Sequence, residues 1–152
     1  MPHATELLFA LGMGDQVVGV THECDYPDEA RELPQVTRDV LEPGLPPGQI
    51  DAAVRARSEA GESIYALDDE LVRELEPDLI VTQALCHVCA VSVDEVQALA
   101  RELPGPPRVI SLDPTTYGET LGDVRTIAQA TSSKDAALDL IARTARRADV
   151  VR

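Results

Sequence analysis

DDELVRELEPDLIVTQ, residues 68–83, carries the decision between fold classes. Asp68 is a cap residue opening a helix that runs through Leu75 and is stopped by Pro77. Leu79–Thr82 then reads as a short apolar strand, the pattern expected when both faces of a strand are covered. A helix feeding such a strand belongs to an alternating α/β chain with a parallel sheet.

The alternation continues on both sides. Downstream, Ser92 and Glu95 form an S-x-x-E pair that predicts a capping box and a helix to Leu103. Arg108–Leu112 reads as the next strand, Tyr117–Thr131 as a helix. Ser133–Arg152 reads as one amphipathic helix with Ala137, Leu140, Ile141, Thr144 and Ala148 on one face. Upstream, Thr5–Leu11 predicts a short helix closed by Gly12, and Gln16–Val20 a β-branched strand. Four prolines make residues 28–48 a loop-rich excursion, followed by a helix from Ile50 to Gly61. There is no internal repeat and no low-complexity tract.

At 152 residues the chain suits one domain of ordinary size. Apolar residues make up 44% and charged residues 26%, which excludes wholesale disorder. Phe9, Tyr26, Tyr65 and Tyr117 are the only aromatics, so the core is aliphatic. Thirteen basic and 27 acidic side chains give a net charge of −14, which repels phosphate backbones and excludes nucleic acid as a partner. No stretch approaches the ~18 apolar residues of a membrane span, so no membrane insertion is expected. The amino terminus lacks a basic region and Leu7–Leu11 is short. No leader is expected, and the chain as it stands reads as cytoplasmic.

Ligands of parallel sheets bind beyond the carboxyl ends of the strands. Three loops lie there: THECDYP (21–27), QALCHVCAV (83–91) and DPTTYG (113–118). All three cysteines and two of the three histidines fall in the first two loops. Cys86 and Cys89 have the C-x-x-C spacing of a metal half-site or a dithiol pair. His22 and Cys24 could complete a tetrahedral zinc or iron site from the neighbouring loop. A reactive dithiol, with Cys89 near a helix amino terminus, and inert buried packing are the other two readings of the same residues. The acidic group Asp68, Asp69, Glu70, Glu74 and Glu76 reads as a solvated helix face or a docking patch. No G-x-S-x-G elbow, phosphate loop or H-E-x-x-H occurs, and no enzyme is expected.

PHATELLFALGMGDQVVGVTHECDYP (2–27), with DDELVRELEPDLIVTQ and LCHVCAV (85–91), resembles the type III, helical-backbone periplasmic binding proteins. The vitamin B12-binding and iron-siderophore receptors of ABC importers are the nearest by pattern. The resemblance implies an α/β ligand-binding lobe over residues 1–131, apparently without its first strand, and a linking helix over 132–152. No second lobe is expected within these residues. It implies a metal chelate or corrinoid as ligand, with Thr21, His22, Glu23, Tyr26 and Gln83 lining the cleft. Glu23 and Gln83 stand where the B12-binding members carry stacking aromatics. Glu70 matches a glutamate that docks the transporter's membrane subunit. Such a receptor works outside the cytoplasm, and a lobe without its partner would favour a homodimer.

Overall fold

The computed structural model describes residues 1–84 and 91–151, the side chain of Val151 excepted. Helix α1 spans Pro2–Ala10, followed by 3-10 turns at Gly14–Gln16 and Asp28–Glu32. Strand β1 (Thr37–Asp39), helix α2 (Pro47–Ala60) and strand β2 (Tyr65–Leu67) come next. Helix α3 (Asp69–Leu75), β3 (Leu79–Thr82), α4 (Val93–Glu102), β4 (Arg108–Ser111), α5 (Tyr117–Thr131) and α6 (Lys134–Val151) complete the order.

Strands β3 and β4 pair in parallel, with Leu79 opposite Arg108 and Thr82 opposite Ser111. Helices cover both faces of this pair, which is why Leu79, Ile80 and Val81 of β3 are apolar in succession. On one face a core of Ala4, Leu11, Ile110, Leu112, Val124, Ile127, Ala128 and Ala137 draws α1, α5 and α6 together, and Leu79 and Val81 pack against it. On the other face Val72, Leu99 and Leu103 join α3 to α4. The predicted stripe of α6 faces inward: Ala137 is buried and Leu140 and Ile141 pack on the first core.

Five expectations change. Helix α1 begins at Pro2, three residues before Thr5, because proline suits the first helical turn. Proline at its start likewise carries α2 back to Pro47, ahead of Ile50. The strand expected over Gln16–Val20 is reduced to one parallel bridge, Val20 with Gln35, since Gly14–Gln16 winds into a 3-10 turn. The excursion over 28–48 contains β1, which pairs antiparallel with β2 through Thr37–Leu67 and Asp39–Tyr65. At Ser92 only the forward cap bond forms, from Glu95 N–H to the Ser92 hydroxyl (3.1 Å). The reciprocal box closes instead at Thr116 and Glu119.

Candidate functional site

Beyond the carboxyl ends of Val20 and β3 lies a cavity of about 140 Å³, lined by Thr21, His22, Glu23, Thr37, Tyr65 and Gln83 among others. The Val20–Gln35 bridge sets the start of the THECDYP loop, and β3 delivers Thr82 and Gln83 to the opposite side. The antiparallel β1–β2 pair adds Thr37 and Tyr65 as a third wall.

Polar bonds fix these side chains. His22 Nδ1 lies 2.7 Å from the Thr37 hydroxyl, which also accepts the His22 backbone N–H (3.2 Å). His22 Nε2 is buried, 3.5 Å from Asp39 Oδ1, and makes no hydrogen bond among the described residues. The His22 and Tyr65 rings meet edge-on, with centroids 5.0 Å apart. Tyr65 donates its hydroxyl proton to Glu23 Oε1 at 2.7 Å. Burial, then the bond and charge of Glu23 and the charge of Asp39, push the Tyr65 phenol up to about 12. Tyr65 therefore stays a neutral donor and Glu23 an oriented acceptor. On the far rim Asp113 accepts from Ala84 N–H and from the Ser111 hydroxyl, tying the loops after β3 and β4 together.

Of the residues predicted from sequence, Thr21, His22, Glu23 and Gln83 meet at this cavity. Tyr26 does not; it is 66% exposed and turned to solvent. Cys24 is buried behind the loop, its Sγ 3.2 Å from the hydroxyls of Thr5 and Thr21 and 3.7 Å from the Met1 ammonium. Cys86 and Cys89 lie outside the described residues. Among the described residues no three His, Cys, Asp or Glu side chains gather around a common metal position. Glu70 stands exposed in the first turn of α3. Sequence reasoning missed Thr37, Asp39 and Tyr65. The only signal was the short Ile64–Tyr65 run between Gly61 and the Asp68 cap.

The cluster behind the loop gives alkaline stability a definite shape. Burial lowers the pKa of the Met1 ammonium, against the opposing pull of Cys24 and Glu23. Burial also resists ionisation of Cys24, but bonds from Thr21 and Thr5 and the Met1 charge outweigh it, and the thiol's pKa is lowered. From neutrality to about pH 9 the unfolded amine and thiol therefore bind more protons than the folded ones, and stability rises with pH. The thiol's contribution is full above its unfolded pKa and is lost as pH falls through the lowered folded value. Above about pH 10 the sign reverses: unfolded tyrosine releases its proton while Tyr65 keeps its own. The thermal midpoint should thus peak near pH 9, and Cys24→Ser should flatten the rise below it. A midpoint falling steadily from pH 7 to pH 9 would contradict this cluster.

No known protein-family model matches the sequence. A vitamin B12-binding protein of Pectobacterium carotovorum is 54% identical over 35 residues, 23% of this chain and 13% of that protein. One from Vibrio cholerae serotype O1 is 30% identical over 102 residues, covering 59% of this chain and 36% of the relative. In structure, the chain resembles a Staphylococcus epidermidis protein described as "a possible … iron-binding (periplasmic solute-binding) protein". The TM-score is 0.68 at 20% identity, over 99% of this chain and 47% of that one. The periplasmic vitamin B12 binding protein of Vibrio cholerae gives a TM-score of 0.58 at 23% identity, over 96% and 46%. All four are described as binding proteins, none as an enzyme. The chain spans about half the length of those structures and about a third or less of the curated relatives. Its fold is that of one lobe of a periplasmic solute-binding protein.

Proposed function

We propose that the chain is one lobe of a solute receptor that captures a metal chelate, a corrinoid or a siderophore, for an ABC-type importer. The carrying observation is the cavity at the strand ends of an α/β lobe, where polar bonds hold His22, Glu23 and Tyr65 and Gln83 lines the opposite side. No reaction is catalysed. A single lobe covers only part of a pocketed ligand, so affinity is modest, since tight capture needs most of the ligand's surface buried. Glu70, exposed at the start of α3, is the contact for the importer's membrane subunit through a charge-assisted bond to a basic group. Glu70→Arg should abolish that docking while leaving chelate binding unchanged.

The alternative, a metal or dithiol protein built on His22, Cys24, Cys86 and Cys89, draws less support from the described residues. The Cys24 thiol is engaged by Thr5 and Thr21, and His22 Nδ1 by Thr37.

Titration with cyanocobalamin, a ferric hydroxamate and haem separates the two. The receptor reading expects saturable, weak binding of at least one chelate that survives Cys86→Ser and Cys89→Ser. One tightly held metal ion per chain, lost in Cys86→Ser, with no chelate bound, would overturn it.

A further inference from the structure

The three loops at the strand ends, 21–27, 83–91 and 113–118, contain no lysine or arginine, although the chain has thirteen. Among the described residues, none lines the cavity either. Arg31 and Arg38, the next cations after the first loop, are spent or turned aside. Arg31 donates its Nε to the Asp25 carbonyl (2.8 Å). Arg38 sits between Thr37 and Asp39 on β1, so strand alternation directs it to the face away from His22.

The other groups able to carry positive charge have partners. The Met1 ammonium lies 2.6 Å from the Thr21 hydroxyl and 3.7 Å from the Cys24 thiol, and burial lowers its pKa. His22 has the Asp39 carboxylate 3.5 Å from its Nε2, so a proton gained there is matched at once.

Negative charge, by contrast, stands open to the cavity. Glu23 lines it and takes one hydrogen bond, from the Tyr65 hydroxyl to Oε1 at 2.7 Å. No other side chain or backbone group bonds Glu23 among the described residues, which leaves Oε2 for a donor from outside. Tyr65 brings a dipole but no charge to balance the carboxylate. The net charge of −14 adds a field of the same sign. A ligand that settles over Glu23 strips its water. A cationic group repays that loss, a neutral donor repays part of it, and a carboxylate or phosphate adds repulsion to it.

We infer that this lobe sorts its ligands by charge, with Glu23 as the specificity-determining residue: it favours chelates that present an ammonium or other cationic group to the cavity and rejects those that present carboxylate or phosphate. This charge class rests on the receptor reading above and narrows it. Haem, with two carboxylates, belongs among the rejected ligands.

The test uses chelates matched in everything but charge. A linear ferric trihydroxamate with a pendant ammonium is compared with its N-acetyl (neutral) and N-succinyl (anionic) derivatives. Cyanocobalamin is compared in the same way with a monocarboxylate and an amine-tailed derivative. Affinities are measured at pH 7.5 for the chain as given, for Glu23→Gln, and for Asp135→Asn. Glu23→Gln keeps an oxygen for Tyr65. Asp135, exposed in the first turn of α6, removes the same charge outside the cavity lining.

On whichever scaffold binds, the cationic form should bind at least tenfold more tightly than the anionic one, with the neutral form between them. Glu23→Gln should reduce that ratio below threefold, and Asp135→Asn should leave it unchanged. Equal affinities in the unmodified chain, or preference for the anionic form, would overturn the charge filter while leaving the receptor reading intact. A ratio that survives Glu23→Gln would also overturn it, because the field of the whole chain would then do the sorting. Absence of binding by every form on both scaffolds would overturn the receptor reading and the filter with it.

Discussion

Replacing Ile127 by alanine should destabilise the fold by about 3 kcal/mol, lowering the thermal midpoint of a chain this size by about 10 °C. Ile127 has no exposed surface and sits where α5 meets β4, α1 and α6 in the larger core. The truncated side chain leaves a cavity that flanking Leu112 and Val124, held by sheet and helix backbone, cannot collapse to fill. That core holds α1 and β4 together, and through them it helps to place the THECDYP loop relative to β3. Leu138 on the outer face of α6 is 67% exposed and gives the control. Leu138→Ala should change stability by less than about 0.5 kcal/mol in the same urea titration. Equal effects at the two positions would mean that α5 and α6 do not pack as described.

Tyr65→Ala should weaken chelate binding tenfold or more. One side chain supplies three things: the ring edge against His22, a wall of the cavity, and the hydroxyl that orients Glu23. Tyrosines are enriched at the centres of binding surfaces, because a rigid ring gives large contact area at small entropic cost. Tyr65→Phe separates the parts. It keeps the ring and wall but releases Glu23, so its affinity loss should be smaller than that of alanine. Calorimetric titration of the two variants with the chelate bound best by the unmodified chain checks both. Unchanged affinity in Tyr65→Ala would remove the β1–β2 wall from the site.

Much of this arrangement was legible in the sequence, for local reasons. Leu79–Thr82 and Arg108–Ser111 announce themselves because both faces are covered and turn residues bound them. Helix α2 was legible although none of its residues is buried, because Gly61, at a φ of +72°, closes it as a left-handed cap. The β1–β2 pairing was not legible. Thr37–Arg38–Asp39 is polar, three residues long, and held by a partner far away in sequence. Gln16–Val20 fails in the opposite direction: its β-branched residues favour a strand, but an extended segment becomes one only where an edge meets it, and only Val20 meets Gln35.

The candidate site follows the same division. Its first wall, Thr21 to Glu23, was readable from a motif, as was Gln83. The residues that fix that wall were not, since the Tyr65–Glu23 bond joins positions 42 apart and leaves no local pattern.

The central claim is that this lobe takes its ligand at the strand ends. Amide chemical-shift mapping during a cyanocobalamin titration, repeated with a ferric-hydroxamate analogue carrying a diamagnetic metal, tests it most directly. Perturbations should concentrate at Thr21–Glu23, Thr37–Asp39, Tyr65 and Thr82–Gln83. Shifts confined to α1 and Cys24, or no shifts at millimolar chelate, would contradict it.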